Sequence, residues 1–186
     1  VKLKENVSVI GALEFNSIAV GTRAMDEIVK AAPVWIMEAE VVNPGKFFVL
    51  FTGDVASVDA SLSRGKAVGG GYLVDELFIP RLHRQIIPAI NRSVECKRWD
   101  AAGIIECFSL IASIEAGDIA AKTSDVLITE IRLSSDMGGK SFVKMMGEVH
   151  EIEVAVSAGV EYITKKGLLC TRVIIPKPHP DIRPFY

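Results

Sequence analysis

At 186 residues and 20.2 kDa the chain exceeds one minimal core and falls short of two ordinary domains, at about 100–200 residues each. Its 21 Lys and Arg against 23 Asp and Glu give a net charge of −2 with no basic run, which excludes a nucleic-acid surface built on phosphate neutralisation. Charge-free runs end at eight residues, where a membrane-spanning helix needs about 20, so no membrane segment is expected.

The apolar fraction is 49% with only 7% aromatic residues. That is more apolar surface than a small monomer hides, and self-association is its natural outlet. Three cysteines, Cys96, Cys107 and Cys170, are widely spaced without a C-x-x-C. They read as reduced thiols of a cytosolic protein.

In chain order, residues 11–14 form a short apolar strand candidate. Ser17 is placed to cap a helix running to about Lys30, with Ile18, Met25 and Ile28 at helical spacing. Residues 34–42 read as a strand, Asn43-Pro44-Gly45 as a turn, and residues 47–51 as the returning strand. Asp54 suits the start of a second helix, along which Val55, Val58 and Leu62 recur on one face. A last strand ends at Ile79. Residues 88–100 then join this unit to a second one, Asn91-Arg92-Ser93-Val94 being the most linker-like part.

The second unit repeats the first. Gly11, Glu14 and Ser17 recur as Gly103, Glu106 and Ser109, and Asp26 and Lys30 as Asp118 and Lys122, all offset by 92 residues. Gly45-Lys46 and Gly53-Asp54-Val55 recur as Gly139-Lys140 and Gly147-Glu148-Val149 at an offset of 94. Ile79-Pro80-Arg81-Leu82-His83 recurs as Ile175-Pro176-Lys177-Pro178-His179 at 96. The chain is a tandem duplication. Each copy has the order β-α-β-β-α-β, an α+β, ferredoxin-like arrangement with an antiparallel sheet and helices on one face.

The ordered set of G-x-x-E-x-x-S, D-x-x-x-K, Gly-Asp/Glu-Val and I-P-x-x-H, present twice, resembles the tandem-domain shell proteins of bacterial microcompartments (BMC). Pro44-Gly45-Lys46-Phe47, Leu73-Val74-Asp75 and Gly167-Leu168-Leu169 are similar to the propanediol-utilisation members of that family. The resemblance implies two BMC domains, residues 8–90 and 101–186, joined by a linker, residues 91–100. It implies a homotrimer whose six domains make a pseudohexagonal tile. Such tiles pack edge to edge with other shell proteins around encapsulated enzymes, inside a cytoplasmic compartment. The I-P-x-x-H close at the end of each copy implies the unpermuted, single-layer subclass.

By the same resemblance, the loop between the second and third strands of each copy approaches the tile axis. The implied pore lining is Val42, Asn43, Pro44 and Gly45 from copy one, with Ser134, Ser135, Asp136, Met137 and Gly138 from copy two. Rings of Asn43 and Asp136 would form a constriction for small metabolites. Asp26, Lys30, Asp118 and Lys122, with Arg81, His83, Lys177 and His179, match tile-edge positions. Without the family, each Asp/Lys pair is an i, i+4 helix contact of about 0.3–0.5 kcal/mol. Their retention in register in both copies favours the edge.

Other chemistries fare less well. Residues 137–141, Met-Gly-Gly-Lys-Ser, lack the first glycine of a phosphate loop and lead into a strand. His83, His150 and His179 have no metal-ligand spacing, and no metal is expected. Some family members carry a Cys before Pro-Gly-Lys that binds an iron–sulfur cluster on the axis. Asn43 stands there in this chain, and an amide is a poor iron ligand, so no cofactor is expected. Glu14 and Glu106 have no nucleophile beside them, and no enzyme activity is expected. The alternatives are a shell protein carrying electrons through an iron–sulfur centre, or a trimeric ferredoxin-like small-molecule-binding protein.

Overall fold

The structure, a computed structural model, describes residues 3, 7–96, 99–133 and 137–186, with the side chains of 184 and 185 set aside. Copy one runs β1 (Ile10–Phe15), α1 (Ile18–Ala31), β2 (Trp35–Val42), β3 (Lys46–Thr52), α2 (Val55–Gly69) and β4 (Leu73–Ile79). A short helix, α3 (Ile86–Ile90), follows. Copy two runs β5 (Ala101–Cys107), α4 (Leu110–Thr123), β6 (Leu127–Leu133), β7 (Ser141–Gly147), α5 (Val149–Lys165) and β8 (Leu169–Ile175).

The expected caps form where short polar side chains can reach back to the helix amides. Ser17 Oγ accepts from the Val20 amide at 3.4 Å, Asp54 Oδ1 from Ser57 at 2.8 Å and Ser109 Oγ from Ala112 at 3.2 Å. Glu148, at the start of α5, makes no such bond.

Both sheets are antiparallel, in the orders β2-β3-β1-β4 and β6-β7-β5-β8. The register carries the repeat into three dimensions. Gly11 pairs with Phe51 and Phe78, and Gly103 pairs with Met145 and Ile174. The final step of two residues in the offset is the extra length of α5, 17 residues against 15 in α2.

Packing explains one difference between the copies. An added Cβ on Gly21 would lie 2.6 Å from Phe47 Cβ. The equivalent positions in copy two are Ser113 and Ser141, so small faces small where copy one sets nothing against a phenyl ring. Alanine favours a helix interior over glycine by about 1 kcal/mol, yet overpacking costs about 1–3 kcal/mol. Gly21→Ala is therefore expected to destabilise, by about 1–2 kcal/mol net, as read from the urea midpoint at unchanged slope.

The two copies share a core. One cluster, on the helix side of the first sheet, holds Leu13, Phe15, Ile28, Val49 and Phe51. The larger one runs from the opposite face of that sheet, through Ile10, Phe48 and Leu50, across Ile86 and Ile87, into the core of copy two. The short helix α3 was not expected from the sequence. Ile86, Ile87 and Ala89 are buried and α3 packs on β6, so this stretch seats copy one on copy two.

Candidate functional site

The β2–β3 turn exposes Asn43, Pro44 and Gly45, with Gly45 at φ +90, where a side chain would be strained. Val42 is a correction to the expected lining. It is fully buried, because strand alternation turns its side chain into the core. Ser134, Ser135 and Asp136, the core of the expected copy-two lining, lie outside the described residues. Met137 is half-buried and Gly138 exposed. The two turns are neighbours. A Cβ on Gly139 would lie 3.1 Å from Lys46 Nζ and 3.3 Å from the Asn43 carbonyl oxygen.

Each turn is anchored by the lysine that follows it. Lys46 Nζ donates to Glu14 Oε1 at 2.8 Å and to the Phe108 carbonyl at 3.3 Å. Lys140 Nζ donates to Glu106 Oε1 at 3.0 Å. Glu14 also accepts from the Leu110 amide, through Oε2, at 2.9 Å. A carboxylate of copy one thus sits at the N-terminus of α4 in copy two, where the helix dipole favours it. The repeated glutamates tie turn lysines down, and in copy one also join the domains.

The junction between copies is ionic as well as apolar. Lys166 Nζ lies 2.6 Å from both Asp75 Oδ1 and Glu115 Oε2, and Ser109 Oγ donates to Asp75 Oδ2 at 2.6 Å. Burial raises the Glu115 pKa above the usual carboxylate range, against the opposing pull of Lys166. Burial by itself would lower the Lys166 pKa, but its bonds to Asp75 and Glu115 hold it above the usual value. Gln85 clamps the edge of β6. Its Nε2 donates to the Val126 carbonyl at 3.0 Å, and its Oε1 accepts from the Ile128 amide at 2.8 Å.

Two expected edge residues meet at this junction. The His83 amide donates to Asp118 Oδ1 at 2.8 Å, and Asp118 is buried and paired with Lys122 at 2.5 Å. Burial lowers the His83 pKa below its ordinary value. In copy one the equivalent Asp26–Lys30 pair, also 2.5 Å, is open to solvent. Arg81, Lys177 and His179 are exposed as well.

The asymmetry extends along both ends of the chain. Leu110 is 0% exposed beneath the junction, while Ile18, its equivalent on α1, is 41% exposed. Leu77 on β4 is 1% exposed, while Val173, its equivalent on β8, is 46% exposed. Trp35, at the start of β2, is 73% exposed. Each face used once inside the chain has an unused duplicate outside it.

The axial iron–sulfur centre of some tandem shell proteins is not matched by these residues. Asn43 offers an amide, and Cys96, Cys107 and Cys170 lie in the linker, on β5 and on β8. Burial pushes the Cys107 thiol up to about 12, so it stays protonated. Among the described residues no group of three His, Cys, Asp or Glu side chains could hold a metal, and no helix is long and apolar enough to cross a membrane.

The family model for the BMC domain matches twice, at residues 9–82 and 101–178. The bacterial microcompartment shell protein PduT of Citrobacter freundii is 36% identical over 173 residues, 93% of this chain and 94% of that one. The shell protein EutM of Salmonella typhimurium is 30% identical and aligns over 88% of its own length with 47% of this chain. A crystal structure of a microcompartment protein from Desulfitobacterium hafniense superposes with a TM-score of 0.82 at 42% identity, covering 96% of this chain and 99% of that one.

Proposed function

The chain belongs to the bacterial microcompartment domain family, with two such domains in tandem, and from that premise we propose that it is a structural tile of a microcompartment shell. Three chains close into a pseudohexagonal ring, and rings pack edge to edge with other shell proteins around enzymes in the cytoplasm. The turns after β2 and β6 surround a central opening for small polar metabolites.

The observation that carries this reading is the duplicated junction. Inside one chain, β4 and the segment after it cover α4. Repeating that step would set β8 and His179 of one chain over α1 of the next, burying Ile18 and Val173 and joining His179 to Asp26 as His83 joins Asp118. Closed symmetry uses both faces and leaves neither bare.

The opening would be polar but not cationic. Lys46 and Lys140 are held by Glu14 and Glu106, leaving the Asn43 amides foremost in copy one. Arg81 and Lys177, exposed in both copies, remain for the outer edge with Lys30 and Lys122.

Native mass spectrometry of the whole chain tests the ring, and negative-stain images test the sheet. The expected result is a trimer that lays down flat arrays at higher concentration. A monomer at every concentration would sink the tile.

A further inference from the structure

Copy two departs from copy one on the sheet face away from its helices, and the departure gathers cations. Lys144 on β7 stands where copy one has the fully buried Leu50, and Arg132 on β6 where it has Glu40. Both turn to Glu130. Arg132 Nη2 and Nε lie 2.6 and 2.8 Å from Oε1, and Lys144 Nζ lies 3.2 Å from Oε2. Glu130 stays ionised, since these partners outweigh the burial that would raise its pKa.

A third cation completes the group. Arg92, in the segment between the copies, lines the same depression of about 280 Å³, together with Thr129 and Tyr186. Arg92 has no ion-pair partner among the described residues. At φ 53 it also holds the left-handed conformation that no other non-glycine described residue adopts. That conformation closes helix α3, with the Ser93 amide donating to the Pro88 carbonyl at 3.0 Å and the Arg92 amide to the Ala89 carbonyl at 3.3 Å.

We propose that this depression binds a small dianion through a phosphate group, either free phosphate or a phosphate monoester. Among the lining side chains, three cations against one carboxylate leave a charge of +2, which a dianion cancels. Arg92, Arg132 and Lys144 come from three different elements, so a tetrahedral group with several acceptor oxygens can take a charge-assisted bond from each. Glu130 occupies one side of Arg132 and Lys144 and fixes their position, leaving their remaining N–H groups for the ligand. No equivalent exists in copy one, where Glu40 and Leu50 stand in place of the two cations, so a ring would carry one such site per chain.

The test is isothermal titration of the intact protein at fixed ionic strength, with inorganic phosphate, glycerol 3-phosphate and succinate as separate probes. Phosphate or its monoester is expected to bind at one site per chain, and a preference between the two identifies the source. Arg92→Gly removes the guanidinium while accepting φ 53 without strain, so the melting temperature should hold. Phosphate affinity should fall about tenfold or more in that variant. Equal affinity in wild type and Arg92→Gly would overturn the site, as would succinate binding as tightly as phosphate, or no heat beyond that of chloride. The site does not depend on the ring, since a monomer that bound phosphate would sink the tile and keep this proposal.

Discussion

Replacing Lys166 by alanine is expected to destabilise the chain by about 3–5 kcal/mol, because it strands two buried carboxylates. Asp75 and Glu115 have side chains only 3% and 11% exposed, and Lys166 reaches both at 2.6 Å. Ser109 would still donate to Asp75, which softens the loss there, but Glu115 has no second cation at comparable distance among the described residues. Lys166→Met is expected to recover part of the packing and none of the charge.

The effect should depend on pH with a definite sign. Glu115 already has a raised pKa in the folded chain, so its contribution favours folding below its unfolded value and fades as pH rises through its folded value. Removing Lys166 raises that folded pKa further. The gap between variant and wild type should therefore be widest at neutral pH and close in acid, as measured by urea denaturation across the range. A gap that is constant with pH would mean that the ion triad is not the source of the loss.

The second large effect concerns assembly. Ile18→Asp is expected to convert the proposed trimer into monomers at micromolar concentration. Ile18 opens α1 and is exposed in the single chain, so the fold loses nothing, and aspartate suits the first turn of a helix. In the proposed ring, Ile18 would take the place that Leu110 holds at the internal junction. Each of three contacts would then bury a carboxylate without a partner. The check is light scattering with a circular-dichroism melt. A stable trimer of Ile18→Asp would refute the duplicated-junction reading, and an unfolded chain would refute the premise that Ile18 is idle in the monomer.

The fold was readable from the sequence because its signals are local and occur twice. Gly11 and Gly103 lie under helices where a Cβ would come within 2.7 and 2.8 Å of a neighbour, so these glycines cannot drift. Ser17 and Ser109 cap their helices for a similar short-range reason. The junction was not readable by the same route. Asp75 and Glu115 correspond to Thr171 and Arg23, and Gln85 to Asp181, so a search for what the copies share passes over what joins them. Lys166 follows the extra length of α5 and has no plain counterpart.

Residue type also hid positions that were singled out. His83 and Asp118 were both placed at an outer edge, from different copies, and their meeting across one junction needs the third dimension. Val42 shares a turn with Asn43 but not a direction, since one step along a strand reverses the side chain. Helix α3 is only five residues long, with Pro88 inside it, too short to show a helical period.

The core that crosses from one copy to the other sets a timetable for synthesis. A ribosome releases the first copy while the second is still unmade, and at about 5–20 residues per second the delay is on the order of ten seconds. For that interval Leu77 has no α4 above it, and Ile86 and Ile87 have no β6 to rest on. The nascent half is therefore a sticky intermediate by construction, and neighbouring chains on one message can meet through that bare face before either is complete. Duplication in a single reading frame fixes which two domains become partners, provided the second arrives before a stranger does.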